Sequence, residues 1–143
     1  RLEKFLSQDT FLLTYGDGIS NININELIEF HKNHKKMVTI SAVRPPARFG
    51  SLSLDGADVL SFKEKKQLGE SWINGGFFVI NTDFLKFLDG DETILEKEPL
   101  EKVTELGELK AFRHEGFWQC MDHKLDKDYL EQLIKEKKAP WIR

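Results

Sequence analysis

The segment from Phe11 to Gly18, FLLTYGDG, constrains the fold of this chain more than any other stretch. Its apolar residues and the strand formers after them predict a short buried strand, which Gly16 to Gly18 end with residue types that tight turns use. Asp17 therefore lies at the carboxyl end of a strand, where open α/β sheets bind ligands. The flanking glycines allow a bulky polyanion to approach, and an aspartate so placed suits a hard cation such as Mg²⁺. On its own, however, an Asp-Gly turn is more often a turn without a ligand.

The chain beyond this turn alternates helices with strongly apolar strands. Asn23 and Glu26 have the spacing of a capping box and predict a helix of about a dozen residues that ends in basic side chains. The segment Met37 to Val43, MVTISAV, predicts a strand buried on both faces, and the order strand, helix, strand predicts a parallel pair. The segment Trp72 to Asn81, WINGGFFVIN, predicts a second buried strand. We therefore expect an α/β fold with a mixed sheet.

Shorter elements complete the expected pattern. They are an antiparallel pair at the sheet's edge (49–54 and 59–63), a short helix (82–88), a longer helix (93–106), a strand (109–112), a strand or loop (114–122) and a final helix (125–137). The sequence begins at Arg1 and reaches a core strand almost at once, so we expect further chain before it and a sheet that is incomplete on its amino-terminal side.

Composition limits the classes of function. The 143 residues suffice for one domain with a sizeable core. A net charge of -3 gives no electrostatic reason to expect nucleic acid or an anionic membrane as partner. No apolar run approaches the roughly 20 residues of a membrane span. The single Cys120 excludes an internal disulfide framework, so we expect a cytoplasmic protein.

Three further groups of residues are candidates for a binding site. The run Lys63 to Lys66 is typical of a solvated charged face, although a lysine and a glutamate there could also hold a phosphate and sugar hydroxyls. Glycines beside Asn74 in an apolar strand indicate a bulge or the close approach of a ligand. Asp122, after an aromatic run, is a second candidate metal ligand, because carboxylates far apart in sequence can meet at one Mg²⁺.

Two weaker candidates are a histidine pair and the cysteine. His31 and His34 lie one turn apart, but no matching pair completes a metal site, which favours a solvated helix face. Cys120 has histidines nearby in sequence, but no third group indicates a thiolate nucleophile.

The ordered set of motifs is more specific than any one of them. In chain order they are TYGDG, RPPARFG, FKEKK, INGGFFVIN, GFWQCMD and KAPW. This set resembles the glucose-1-phosphate cytidylyltransferases, nucleotide-sugar pyrophosphorylases of bacterial O-antigen (lipopolysaccharide) biosynthesis, over essentially the whole chain. The resemblance implies a Rossmann-like, GT-A-like nucleotidyltransferase with a mixed sheet, which makes CDP-glucose from CTP and glucose 1-phosphate.

The resemblance also implies roles for individual residues. Asp17 and Asp122 match the two metal aspartates, which implies Mg²⁺ as cofactor, and Lys65 joins them in the catalytic set. The implied substrate-binding residues are Gly16, Arg48, Gly50, Glu64, Lys65, Asn74, Gly75 and Trp118. Among these, Glu64 and Lys65 match a pair that holds the sugar and its phosphate.

The chain departs from the family pattern in two ways. Lys66 stands where the family usually has proline, which implies a less rigid loop after Lys65. The glycine-rich nucleotide loop of the family is absent, so residues 1–143 correspond to the carboxyl-terminal, sugar-phosphate- and metal-binding part of one nucleotidyltransferase domain. We expect this part to be inactive alone, and the full-length enzyme to be a homo-oligomer.

Two alternatives stay open from the sequence. A related sugar-1-phosphate nucleotidyltransferase that uses dTTP or UTP would share this sugar-binding half, since the base is recognised elsewhere. A non-catalytic module that binds a sugar phosphate or supports assembly is a second alternative, against which the paired aspartates argue.

Overall fold

A four-stranded sheet forms the centre of the molecule. The computed structural model describes residues 3–6, 9–45, 51–63 and 71–142. The sheet has the order β1-β6-β3-β7, with β1 at Thr10–Thr14, β3 at Val38–Val43, β6 at Ile73–Asn81 and β7 at Leu109–His114. Strands β1, β3 and β7 run in one direction, and β6 runs against β1 and β3. The predicted α/β fold with a mixed sheet is confirmed.

Strand order differs from the prediction at one place. Strands β1 and β3 do run the same way, but they do not pair, because β6 lies between them. A connecting helix sets the relative direction of two strands and not their adjacency, so a later apolar strand can insert between them. The parallel pair within the described residues is β3 with β7, in which Val38 lies opposite Leu109.

Two separate strand pairs accompany the main sheet. Strand β2 at Gly18–Ser20 pairs with β8 at Trp118–Cys120, and β4 at Ser51–Asp55 pairs with β5 at Asp58–Lys63. The β4–β5 hairpin was expected at the edge of the main sheet, and this expectation is wrong. Strand β3, which the hairpin follows, already has β6 on one side and β7 on the other, so it offers no free edge.

The helix boundaries lie close to the predicted ones except at one start, where the helix predicted for 93–106 begins at Glu98, because proline fits only the first turn of a helix. Helix α1 spans Ile24–His34, α2 Glu98–Glu105 and α3 Lys124–Lys135, and short 3-10 helices lie at Glu3–Phe5 and Thr82–Phe87. The Asn23 side chain accepts hydrogen bonds from two backbone amides of the first turn of α1, which confirms it as the N-cap. The Glu26 carboxylate accepts from the Asn23 side-chain amide (2.8 Å), not from its backbone N–H, so the reciprocal half of the predicted capping box is not formed. Pro99 lies in the first turn of α2, and Gly107, with φ +69°, lies just after the end of that helix.

The core lies on both faces of the sheet. Phe78 and Ile80 of β6 pack with Leu100 and Val103, two α2 positions. Val79, which points the other way, packs with Leu27 of α1. The sheet is therefore covered on each face, as buried parallel strands require. Among the described residues, none of the helices has the length and apolar character needed to cross a membrane.

The histidines of α1 are not a solvated face as predicted. His31 is only 3% exposed, and its ring nitrogens lie 2.8 Å from Thr39 Oγ1 and 2.9 Å from Asn81 Oδ1. His34 Nε2 lies 2.7 Å from the same threonine oxygen. This histidine pair is a hydrogen-bonded link between α1 and the sheet, and polar partners on β3 and β6 make the burial of His31 possible.

Candidate active site

The pairing of β2 with β8 brings the two predicted metal aspartates to one place. Gly18 lies opposite Cys120, and the carbonyl of Asp17 accepts a hydrogen bond from the Met121 amide at 2.9 Å. Asp122 is the next residue along. Two carboxylates more than a hundred positions apart in sequence thus flank one backbone hydrogen bond at the end of β1.

Both carboxylates face solvent, and their chemistry fits a hard cation. Asp17 and Asp122 are exposed. Asp122 Oδ2 accepts a hydrogen bond from the Cys120 thiol at 3.1 Å. The described residues contain no group of three or more His, Cys, Asp or Glu side chains that could hold a metal. Two carboxylates are nevertheless the usual protein contribution to Mg²⁺, which takes its other ligands from water and substrate phosphates.

Asn74 and Gly75, predicted substrate-binding residues called the sugar wall below, lie against the same strand pair. Trp118 donates its indole N–H to the carbonyl of Gly75 at 2.8 Å. A Cβ added to Gly18 would lie 3.6 Å from that carbonyl, so the β2 strand and the start of β6 are in contact. The structure therefore brings together six of the predicted site residues: Gly16, Asp17, Asn74, Gly75, Trp118 and Asp122.

Close packing around the two glycines of β6 leaves no room for a side chain at either position. A Cβ on Gly75 would lie 2.7 Å from Ser41 Oγ and 2.8 Å from a methyl group of Val43. Gly76 has φ +78°, and a Cβ there would lie 2.9 Å from the ring of Tyr15. The register of β3 with β6 shifts at this point, which confirms the predicted bulge.

Tyr15 connects the turn that carries Asp17, called the metal turn below, to the sugar wall. The sequence did not indicate this role. Its hydroxyl donates a very short hydrogen bond to Glu96 and accepts one from the Asn74 amide at 2.8 Å. The Asn74 carbonyl oxygen in turn accepts from the Gly76 N–H at 2.8 Å, and the Gly76 carbonyl accepts from the Tyr15 N–H at 2.9 Å. The hydrogen bonds of the Asn74 side chain therefore help to hold β1 and β6 together.

The electrostatics of this network keep the phenol protonated. Partial burial and the neighbouring Glu96 carboxylate raise the pKa of Tyr15 to about 12. At neutral pH the hydroxyl is therefore a donor, as its bond to Glu96 requires.

Several predicted site residues lie outside the described residues. These are Arg48, Gly50, Glu64, Lys65 and the neighbouring Lys66. Their roles stay predictions.

Sequence reasoning missed Tyr15 as a site-forming residue, and it missed Glu96 altogether. The tyrosine stands beside the turn glycine, but 81 positions separate it from Glu96. No local pattern links residues at that separation, because only the placement of the loop before α2 brings them together.

Comparison with known proteins agrees with the resemblance seen in the motifs. The family model described as nucleotidyl transferase matches residues 2–119. The chain is 46% identical over 142 residues to glucose-1-phosphate cytidylyltransferase from Salmonella typhi, which covers 99% of this chain and 55% of that protein. A Bacillus subtilis protein assigned the same activity is 38% identical over 119 residues, 82% of this chain and 46% of that protein.

A solved structure has a similar fold to this chain. The crystal structure of HddC from Yersinia pseudotuberculosis superposes with a TM-score of 0.65 at 24% identity, over 90% of this chain and 56% of that one. The chain spans about half the length of the curated relatives that it matches. Because the family model covers most of the sequence, the chain belongs to the nucleotidyl transferase family.

Proposed function

We propose that the full-length protein containing this chain is a glucose-1-phosphate cytidylyltransferase, which converts CTP and glucose 1-phosphate into CDP-glucose and pyrophosphate. The identity of 46% over nearly the whole chain to enzymes of that name is the observation that carries the proposal. The meeting of Asp17 and Asp122 beside Trp118 and Gly75 supports it, because the reaction needs charge neutralisation next to a sugar pocket.

The proposed reaction is a direct in-line displacement. An oxygen of the sugar phosphate forms a bond to the α-phosphorus of CTP, the bond from that phosphorus to the bridging oxygen breaks, and pyrophosphate leaves. The attacking phosphate is already ionised at neutral pH, so no protein base has to remove a proton. The protein contributes position and charge.

Each part of the site has a proposed task. Asp17 and Asp122 would hold Mg²⁺, a divalent ion of the kind that nucleotidyl transferases generally use, and the ion would neutralise charge on the reacting phosphates. Gly16 and Gly75 leave room for the substrates, and Asn74 and Trp118 shape the sugar pocket. Outside the described residues, Glu64, Lys65, Gly50 and Arg48 are proposed to hold the sugar and its phosphate.

We further propose a cytoplasmic homo-oligomer that serves O-antigen biosynthesis. The lone Cys120 supports a reducing compartment. Apolar side chains of the β4–β5 hairpin such as Leu60 and Phe62, 66% and 63% exposed, support burial against another subunit.

Removal of a metal carboxylate tests the proposal. In the full-length protein, Asp17→Asn and Asp122→Asn should each lower kcat by at least about 10²-fold, because charge stabilisation of the transition state is lost. Pyrophosphate release with CTP and glucose 1-phosphate, titrated with Mg²⁺, measures the effect. Asp89→Asn, at an exposed position that is not a predicted site residue, is the matched control and should keep wild-type turnover.

Unchanged turnover in the Asp17 variant would contradict the metal assignment. Faster turnover with dTTP, UTP or GTP than with CTP in the wild-type protein would contradict the choice of base and leave the transfer chemistry intact. Lys65→Ala should chiefly raise KM for glucose 1-phosphate.

A further inference from the structure

Two arginines and a tryptophan lie together at one end of the main sheet: Arg44 directly follows β3, Trp72 directly precedes β6, and Arg113 lies on β7. In the register of β3 with β6, Val43 lies opposite Ile73, so the next residues outward, Arg44 and Trp72, face each other. In the parallel register of β3 with β7, Ala42 lies opposite Arg113. Residues two apart on a strand share a face, so Arg44, Trp72 and Arg113 lie on one face of the sheet.

The side chains make contact as this register requires. The guanidinium carbon of Arg44 lies 4.6 Å from the centroid of the Trp72 ring, and that of Arg113 lies 5.6 Å from it. Each is a cation–π contact. Two like charges on one indole also repel each other, so the cluster is less stable without an anion than with one.

The donors of these arginines are not used by the described part of the protein. Ion pairs within that part all involve lysines, namely Lys36, Lys127 and Lys138. The Arg44 Nε–H is enclosed and finds no hydrogen-bond acceptor among the described residues, which is an unfavourable state for a buried donor. Arg113 is exposed and Arg44 only partly buried, so the remaining N–H groups can reach a ligand from solvent.

The cluster lies beside the proposed sugar wall and is separate from the metal aspartates. Trp72 is two residues from Asn74 on β6, whereas Asp17 follows β1 on the other side of that strand. Guanidinium groups match oxyanions because their N–H pairs form parallel hydrogen bonds to two oxygens.

We propose that Arg44, Trp72 and Arg113 form a binding site for a phosphate group, separate from the metal aspartates. The phosphate belongs either to a substrate that extends along the edge of the sheet or to a separate phosphate-bearing effector. This inference does not rest on the proposed transfer reaction, because the cluster involves neither a nucleotide nor a metal.

Fluorine NMR of the full-length protein labelled with 5-fluorotryptophan tests the proposal directly. The Trp72 resonance, assigned from Trp72→Phe, should shift and saturate as inorganic phosphate is added at constant ionic strength. Arg113→Gln should weaken this binding at least tenfold, and Arg44→Lys, which keeps the charge but loses the paired donors, should weaken it severalfold. Lys110→Gln removes a positive charge from the same strand outside the cluster and should leave binding unchanged.

The other tryptophans report on folding and on the neighbouring site. Unchanged Trp118 and Trp141 resonances in the Arg113 variant show that the protein is folded. A Trp72 shift that never saturates, or that is equally strong in Arg113→Gln, overturns the proposal.

Glucose 1-phosphate distinguishes the two sources of the phosphate. If it competes with inorganic phosphate at Trp72, and if Arg113→Gln raises its KM at constant kcat, the phosphate is the substrate's. If it leaves the Trp72 signal unchanged, the site is for a separate effector. Both results support the site, and the Asp17 experiment tests the proposed reaction independently.

Discussion

At the scale of single residues, Tyr15 joins several parts of the candidate site. Its ring lies against Gly76 and packs with Phe78 at 5.6 Å between centroids, and its hydroxyl joins Asn74 to Glu96. Its backbone leads into the turn that carries Asp17. A single side chain therefore sets the metal turn and the sugar wall relative to each other.

Removal of the Tyr15 hydroxyl should weaken this link. Tyr15→Phe leaves Asn74 and Glu96 without their shared partner, and we expect the free energy of unfolding to fall by about 1–2 kcal/mol. Urea denaturation of the full-length protein at neutral pH measures the change. Tyr129→Phe is the natural comparison, since that tyrosine is 46% exposed on α3 and should change stability little. Equal stability of the two variants would show that the hydroxyl network contributes nothing measurable.

At the scale of elements, the junction of α1 with β3 depends on a neutral His34. The Lys36 N–H donates to His34 Nδ1 at 2.9 Å, so this nitrogen must lack a proton and Nε2–H must donate to Thr39. Burial, followed by the neighbouring His31 and Lys110, lowers the pKa of His34 below its usual 6.5.

The direction of this shift predicts acid sensitivity. The unfolded chain takes up a proton near pH 6.5, whereas the folded chain does so only at lower pH. The contribution of His34 to stability is therefore complete above pH 6.5 and is lost as the pH falls below it. We expect the free energy of unfolding to decline as the pH falls below 6.5, and to decline less in His34→Gln.

A matched substitution isolates this effect from general acid destabilisation. His123→Asn changes the residue that caps α3 to another good capping residue and should keep the wild-type slope. Identical pH dependence in His34→Gln and in the wild type would remove His34 as the cause.

At the scale of the whole molecule, the chain has surfaces that a longer protein or an oligomer could cover. Strand β1 pairs with β6 on one side, and none of the other described strands lies on its other side. Leu12 of β1 is 53% exposed. An edge strand with apolar side chains readily pairs with another chain.

We therefore expect the 143-residue chain by itself to self-associate. Sedimentation velocity at several protein concentrations measures this, and Leu12→Lys should shift the distribution towards monomer, because a lysine opposes pairing at a strand edge. Leu125→Lys replaces a residue that is 80% exposed on α3, away from this edge, and should not change the association. A monodisperse wild-type monomer would contradict the expectation.

The sequence by itself determined the local elements and the chemistry, and the tertiary structure decided which residues meet. The strand before Asp17, though not its expected burial, the N-cap at Asn23 and the bulge at Gly75 follow from short-range patterns, because turn geometry and capping depend on near neighbours. The motif set, in turn, indicated the family from residue order alone. By contrast, the insertion of β6 between β1 and β3, the bond from Tyr15 to Glu96 and the joining of Arg44 with Arg113 depend on strand order, which local propensity does not encode. Packing of whole elements fixes that order, because one strand can pair with several partners and the buried arrangement is chosen by the complete core.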